Sequence, residues 1–219
     1  MVRSIPLLVS AILMSRPTMP KAEAAHYATV LNQVALEHDF DPLTAVAIIH
    51  FETHWQPSLI SADGEDYGLG QVRARYLSAC RDDEDPVGAP SAACQSAKES
   101  LLDGTFNIKR MATIITANRE MCRERTGTAL APQWLAGYQG YNSPSTDRWC
   151  SPGNKTWRVL DYRKELISAL VPRPKTRVAA HGATPKPGPK AVVKATGPAK
   201  KAEAPARGAA PARSTPTRR

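Results

Sequence analysis

From Val171 to Arg219 the chain has no aromatic residue and is dominated by Pro, Ala, Lys and Arg, as in "TPKPGPKAVVKATGPAKKAEAPARGAAPARSTPTRR". Such a segment cannot bury enough apolar surface to offset its conformational entropy, so 172–219 is expected to be a disordered tail. Charge divides at the same place. Residues 172–219 hold 12 Lys/Arg against the single acid Glu203, net +11, whereas 25–171 hold 14 Lys/Arg and 18 acids, net −4. The basic balance of the chain is therefore a property of its tail, which suits an anionic envelope polymer or surface. Nucleic acid is not expected as a partner.

The other end is marked as well. "MVRSIPLLVSAILMSRPTMPKAEAAHY" has a basic Arg3, an apolar run from Ile5 to Met14 and a small-residue "AEA" at 22–24. This is the layout of a secretory leader over 1–24. The apolar run falls short of the roughly 20 residues a transmembrane helix needs, so no membrane span is expected. The product would be exported, to the periplasm or beyond. In an oxidising compartment the four cysteines, Cys80, Cys94, Cys122 and Cys150, suggest two disulfides, with three connectivities open. Pairing sequence neighbours, Cys80–Cys94 and Cys122–Cys150, is the simplest choice. Closing the first loop is worth about 3 kcal/mol on the chain-entropy account. No CxxC spacing supports zinc.

Residues 25–171 remain as one folded domain of a size that suits a single core, with a monomer expected. Its signals are mostly helical. "YATVLNQVALEHD" places Val30, Leu31, Val34 and Leu36 at helical spacing. "DPLTAVAIIHFETH" opens with Asp41 as N-cap and Pro42 at the first helical position. "SAKESLLDG" reads as a short helix ended by Gly104. A long helix follows over about 105–125, stopped by Gly127. "APQWLAGYQGY" starts another. "SLISADGEDYGLGQV" is rich in turn formers and suits a small hairpin. The fold class is mainly α with a minor β element.

Glu52 stands out on the helix from Pro42. Its neighbours one turn back are Ile48 and Ile49, so it projects from an apolar face near the helix C-terminus. Partial burial and the negative end of the helix dipole both disfavour its charged form. A carboxyl that stays protonated near neutrality is a general acid, as when an apolar pocket against a Trp raises the acid of lysozyme. Trp55 lies three residues on. "HFETH" also puts His50 and His54 four apart. Glu52 lies about 200° round the helix from the first His, away from the pair, so no metal is expected.

The surrounding residues resemble the catalytic region of soluble lytic transglycosylases, of the lysozyme-like superfamily. "ETHWQPSLIS" and "GEDYGLGQV" resemble that family's E-S, aromatic, Pro, Ser and G-L-M-Q elements. Thr53 stands at its first Ser, Trp55 at its aromatic, Pro57 at its Pro and Ser61 at its second Ser. Gly68, Leu69 and Gln71 match, while Gly70 replaces Met. Asn107–Ile108 resemble its N-I, and "LAGYQGYN" its A-Y-N-A-G, with Tyr138 on the Tyr or, shifted, Tyr141–Asn142. The resemblance spans roughly 30–165. It implies a lysozyme-like fold and a cofactor-free cleavage of the MurNAc–GlcNAc bond of peptidoglycan glycan strands. The product is 1,6-anhydroMurNAc. Glu52 would be the acid and then the base, Tyr138 would orient it by a hydrogen bond, and Ser61, Asp66 and Gln71 would hold the glycan. Two other readings stay open. "DYG" also resembles C-type lysozymes, in which Asp66 would be a second carboxylate for hydrolysis. An inactive peptidoglycan-binding module is the third.

Overall fold

The computed structural model describes residues 4–141 and 148–170. The expected tail lies outside them. Helix α1 spans Ile5–Ser15, α2 Lys21–Glu37, α3 Pro42–Thr53, α4 Ala92–Ser100, α5 Gly104–Thr126, α6 Ala131–Tyr138 and α7 Asn154–Leu170. A two-stranded antiparallel sheet, β1 Asp66–Tyr67 and β2 Val72–Arg73, pairs Asp66 with Arg73 and Tyr67 with Val72. A further bridge joins Ile60 to Tyr67. The fold is mainly helical with a small hairpin. Among the described residues no helix is long and apolar enough to cross a membrane.

Helix α3 is the hub. The Asp41 side chain accepts from Leu43 N and caps its start, and Arg163 of α7 pairs with the same carboxylate. Pro42 through Ile49 are all buried, so α3 is enclosed on every side rather than along one apolar stripe. It lies against α1, α2 and α7, while α5 packs on α2 and α6. A segment such as "PLTAVAII", apolar but for Thr44, has no polar face to offer water, and a central position is where it is stable. Asp103 caps α5 through Phe106 N, and Gly127 closes it at φ 76°.

The structure corrects one helix boundary and adds one helix to the sequence reading. Within the stretch with the layout of a leader, Ile5–Ser15 form α1, with Leu8, Ala11 and Ile12 fully buried against α2 and α3, and α2 begins at Lys21. An apolar run of this length fits a core helix as well as a leader, because both are defined by the same composition. Gly104 does not end a helix; it is the first residue of α5. Its Cβ position falls 2.5 Å from the Tyr27 hydroxyl, so the close approach of α2 is what asks for glycine. Helix α7, which carried no strong start or stop signal, lies against α3.

The disulfides are Cys80–Cys94 and Cys122–Cys150. The first ties the 3-10 turn Ser78–Cys80, which follows the hairpin, to α4. The second ties the end of α5 to the segment entering α7.

Candidate active site

Glu52 sits in the last turn of α3, partly buried. Burial pushes its carboxyl up to about 7; Asp66 adds to the rise, and the Lys155 ammonium opposes it. A group at that level carries a proton for about half the time near neutrality, the condition for both giving and taking one. Lys155 lies in the first turn of α7 and is exposed. One helical turn further, the Arg158 guanidinium stands 4.9 Å from the centre of the Phe51 ring. Neither cation is legible in the motif around Glu52, because both arrive from a helix some 100 positions away in the chain.

The wall opposite is the hairpin loop. Gly70 is clamped at both ends of its backbone. Its N–H donates to Asn107 Oδ1 at 2.8 Å, and the Tyr138 hydroxyl donates to its carbonyl. Asn107 is fully buried and also donates through Nδ2 to Tyr67 O (2.7 Å) and Leu101 O (2.8 Å). One side chain of α5 therefore fixes β1, the loop and the approach to α5 together. Every buried polar atom of such a network must be paired for it to hold, and here the amide is. Gly68, at φ 65°, could not carry a Cβ: one would lie 2.2 Å from Leu101 O. Gly70 is constrained by space instead. A Cβ there would lie 2.9 Å from the Tyr138 hydroxyl and 3.0 Å from Met111 Sδ. The space that a side chain at position 70 would need is taken by Met111, from α5, and by the Tyr138 hydroxyl.

The expected site residues divide. Tyr138 stands close enough to Glu52 and Asp66 for both charges to join burial in raising its phenol well above the usual value. Tyr138 was expected to orient Glu52 by a hydrogen bond; here its hydroxyl donates to Gly70 O. Tyr138 thus holds the loop that faces Glu52. Ser61 and Gln71 are also occupied inside the loop. Ser61 Oγ donates to Asp63 and accepts from Asp66 N at 2.9 Å. Gln71, at φ 48°, donates through Nε2 to Gly68 O and Leu59 O. Both residues shape the wall of the site. Asp66 is bound at both carboxylate oxygens by Arg73, Nε to Oδ1 at 2.9 Å and Nη2 to Oδ2 at 3.1 Å. Glu65 joins the same arginine.

Trp55 reaches toward α1 and α2. It is fully buried, donates from Nε1 to Ser15 Oγ at 2.8 Å, and lies tilted against Tyr27. His50 points to the same side: Nδ1 is 2.9 Å from Ser15 Oγ, and the ring stacks on Tyr162 with centroids 4.2 Å apart. The His50–His54 pair is thus built into the junction of α1, α3 and α7. Of the shifted alternative, Tyr141 bonds back to Ala136 O, and Asn142 lies outside the described residues.

The site therefore offers one carboxyl poised for proton transfer, a rigid loop wall, a second carboxylate tied to an arginine, and a cationic helix start. No protein-family model, no curated protein and no solved structure matches the chain, so the likeness to the lytic transglycosylases rests on the motif residues alone.

Proposed function

We propose that the chain is a lytic transglycosylase of peptidoglycan, exported to the periplasm or beyond. Glu52 gives its proton to the oxygen of the MurNAc–GlcNAc bond, and the C1–O4 bond breaks. The sugar's own N-acetyl oxygen supports C1. Glu52, now a carboxylate, takes the proton of the 6-hydroxyl as O6 bonds to C1. The 1,6-anhydro ring closes, Glu52 ends protonated as it began, and no water is consumed. The observation that carries the reading is a single partly buried Glu whose carboxyl is raised to about 7 at the end of the central helix. Pairing of both Asp66 oxygens with Arg73 favours the one-carboxylate chemistry, since a hydrolase would ask that group to activate water or attack the sugar. Export is supported by the two disulfides.

Mass spectrometry of fragments released from purified peptidoglycan tests this. The expected products end in 1,6-anhydroMurNAc, and Asp66→Asn lowers the rate only modestly. Reducing MurNAc ends, together with a loss on the order of 10²-fold in Asp66→Asn, would turn the assignment to a lysozyme-type hydrolase. Sedimentation with the polymer and no release would leave a binding module.

A further inference from the structure

The chain leaving Glu52 takes an unusual path. His54, the C-cap of α3, has φ 49° and Trp55 has φ 65°. Two successive non-glycine residues in the left-handed region are unfavourable, and they persist only where the surroundings over-determine them. Those surroundings come from the N-terminal helix. Arg16 Nη1 donates to the carbonyls of both His54 and Trp55. The Trp55 indole, which can only donate, gives its N–H to Ser15 Oγ, and the same hydroxyl meets His50 Nδ1. The contacts thus reach positions 50, 54 and 55, on both sides of Glu52 in the chain. The Arg16 cation also stands at the carbonyl end of α3, where the helix dipole favours positive charge. Behind these groups, Leu8, Ala11 and Ile12 bury α1 against the core.

We infer that α1 and Arg16 form a permanent brace on the catalytic helix, with Ser15 and Arg16 as positioning residues for Glu52, so that the working protein carries residues 5–16. The segment with the composition of a leader is here a part of the machinery that sets the carboxyl against the loop wall. Loss of the brace would free the strained His54–Trp55 turn and strip the buried indole N–H of its acceptor. The functional half of this inference rests on the glycan-cleaving reading; the structural half does not.

Two measurements on the full chain test it. The first is the intact mass of the protein recovered from the cell envelope in active form. It should include residues 5–16; an active species beginning at or after Ala25 overturns the inference. The second compares Arg16→Ala, Arg16→Lys and Ser15→Ala with the unaltered protein, by backbone hydrogen exchange over 50–57 and by kcat and KM. Arg16→Ala should speed exchange in that window and lower kcat about 10- to 100-fold with little change in KM, as misplacement of a reacting group does. Arg16→Lys should recover part of the loss, and Ser15→Ala should speed exchange less. Unchanged exchange in both alanine variants overturns the brace. Faster exchange with unchanged kcat overturns the positioning role alone. Should the unaltered chain cleave no glycan, the exchange data and the mass of the envelope form would still decide the brace, and the failure would belong to the proposed activity.

Discussion

Glu52 meets two opposed demands, and its chemistry follows from their balance. Burial raises its carboxyl to about 7, which suits a proton donor, while an unfolded chain would return it to the ordinary carboxylate range. The folded state therefore binds the proton more tightly. The stability it gains from that proton is complete below about pH 4.5 and is lost as pH rises through about 7. At pH 8 the buried charge costs at most about 3 kcal/mol on this account. Glu52→Gln removes it, so the variant should be more stable than the parent at pH 8 and no more stable at pH 4, as read by urea midpoints at the two values. It should also lose activity by about 10²–10⁴-fold. A stability gain of the same size at both pH values would show that burial of the charge is not the cause. Lys155 provides a second handle, because its ammonium lowers the carboxyl. Lys155→Met should shift the alkaline limb of kcat/KM to higher pH, since the acid then keeps its proton longer. A shift to lower pH would remove Lys155 from the electrostatics of the site. The candidacy of Glu52 was legible from the isoleucines one turn back and the helix end beside it. The role of Lys155 was not, because local spacing carries no information about what a distant helix brings.

At the scale of elements, legibility followed local signals. Asp41–Pro42 at the start of α3 and Gly127 at the end of α5 act on their own backbone, and both stand where the sequence placed them. Gly104 carries the same local signal as Gly127 but serves a different purpose, making room for Tyr27 at the start of α5. The leader-like run, read without its neighbours, carries no information on what it touches; its packing on α2 and α3 comes from the fold. Gly70 is the clearest case of a residue whose meaning lies in another element. Its backbone is in no region reserved for glycine, yet the space above it belongs to Met111 and Tyr138. Gly70→Ala should therefore destabilise the protein by about 1–3 kcal/mol through overpacking. Met111→Ala, made alone, opens a cavity and costs about 2–5 kcal/mol. Combined, the two should fall short of their sum by about 0.5–3 kcal/mol, as substitutions sharing one space do. Additive losses in thermal or chemical denaturation would mean that Met111 is not what fills the place of a side chain at position 70.

For the whole molecule the governing fact is the separation of charge along the chain. The stretch 25–171 is net −4 and 172–219 is net +11. Glu52 and its loop wall lie within the first, so the proposed cleavage needs nothing from the second. An anionic polymer would be attracted to the second and weakly repelled by the first. Attachment and cleavage should therefore come apart experimentally. A chain ending at Val171 should cleave soluble glycan fragments at the parental rate and bind whole sacculi less well at low ionic strength. The difference should shrink as salt shortens the screening length, from about 8 Å at physiological strength to about 3 Å at 1 M. Co-sedimentation across a salt series measures this directly. If the two proteins bound equally at low salt, the tail would have no part in attachment. If they differed equally at all salts, the attraction would be something other than charge.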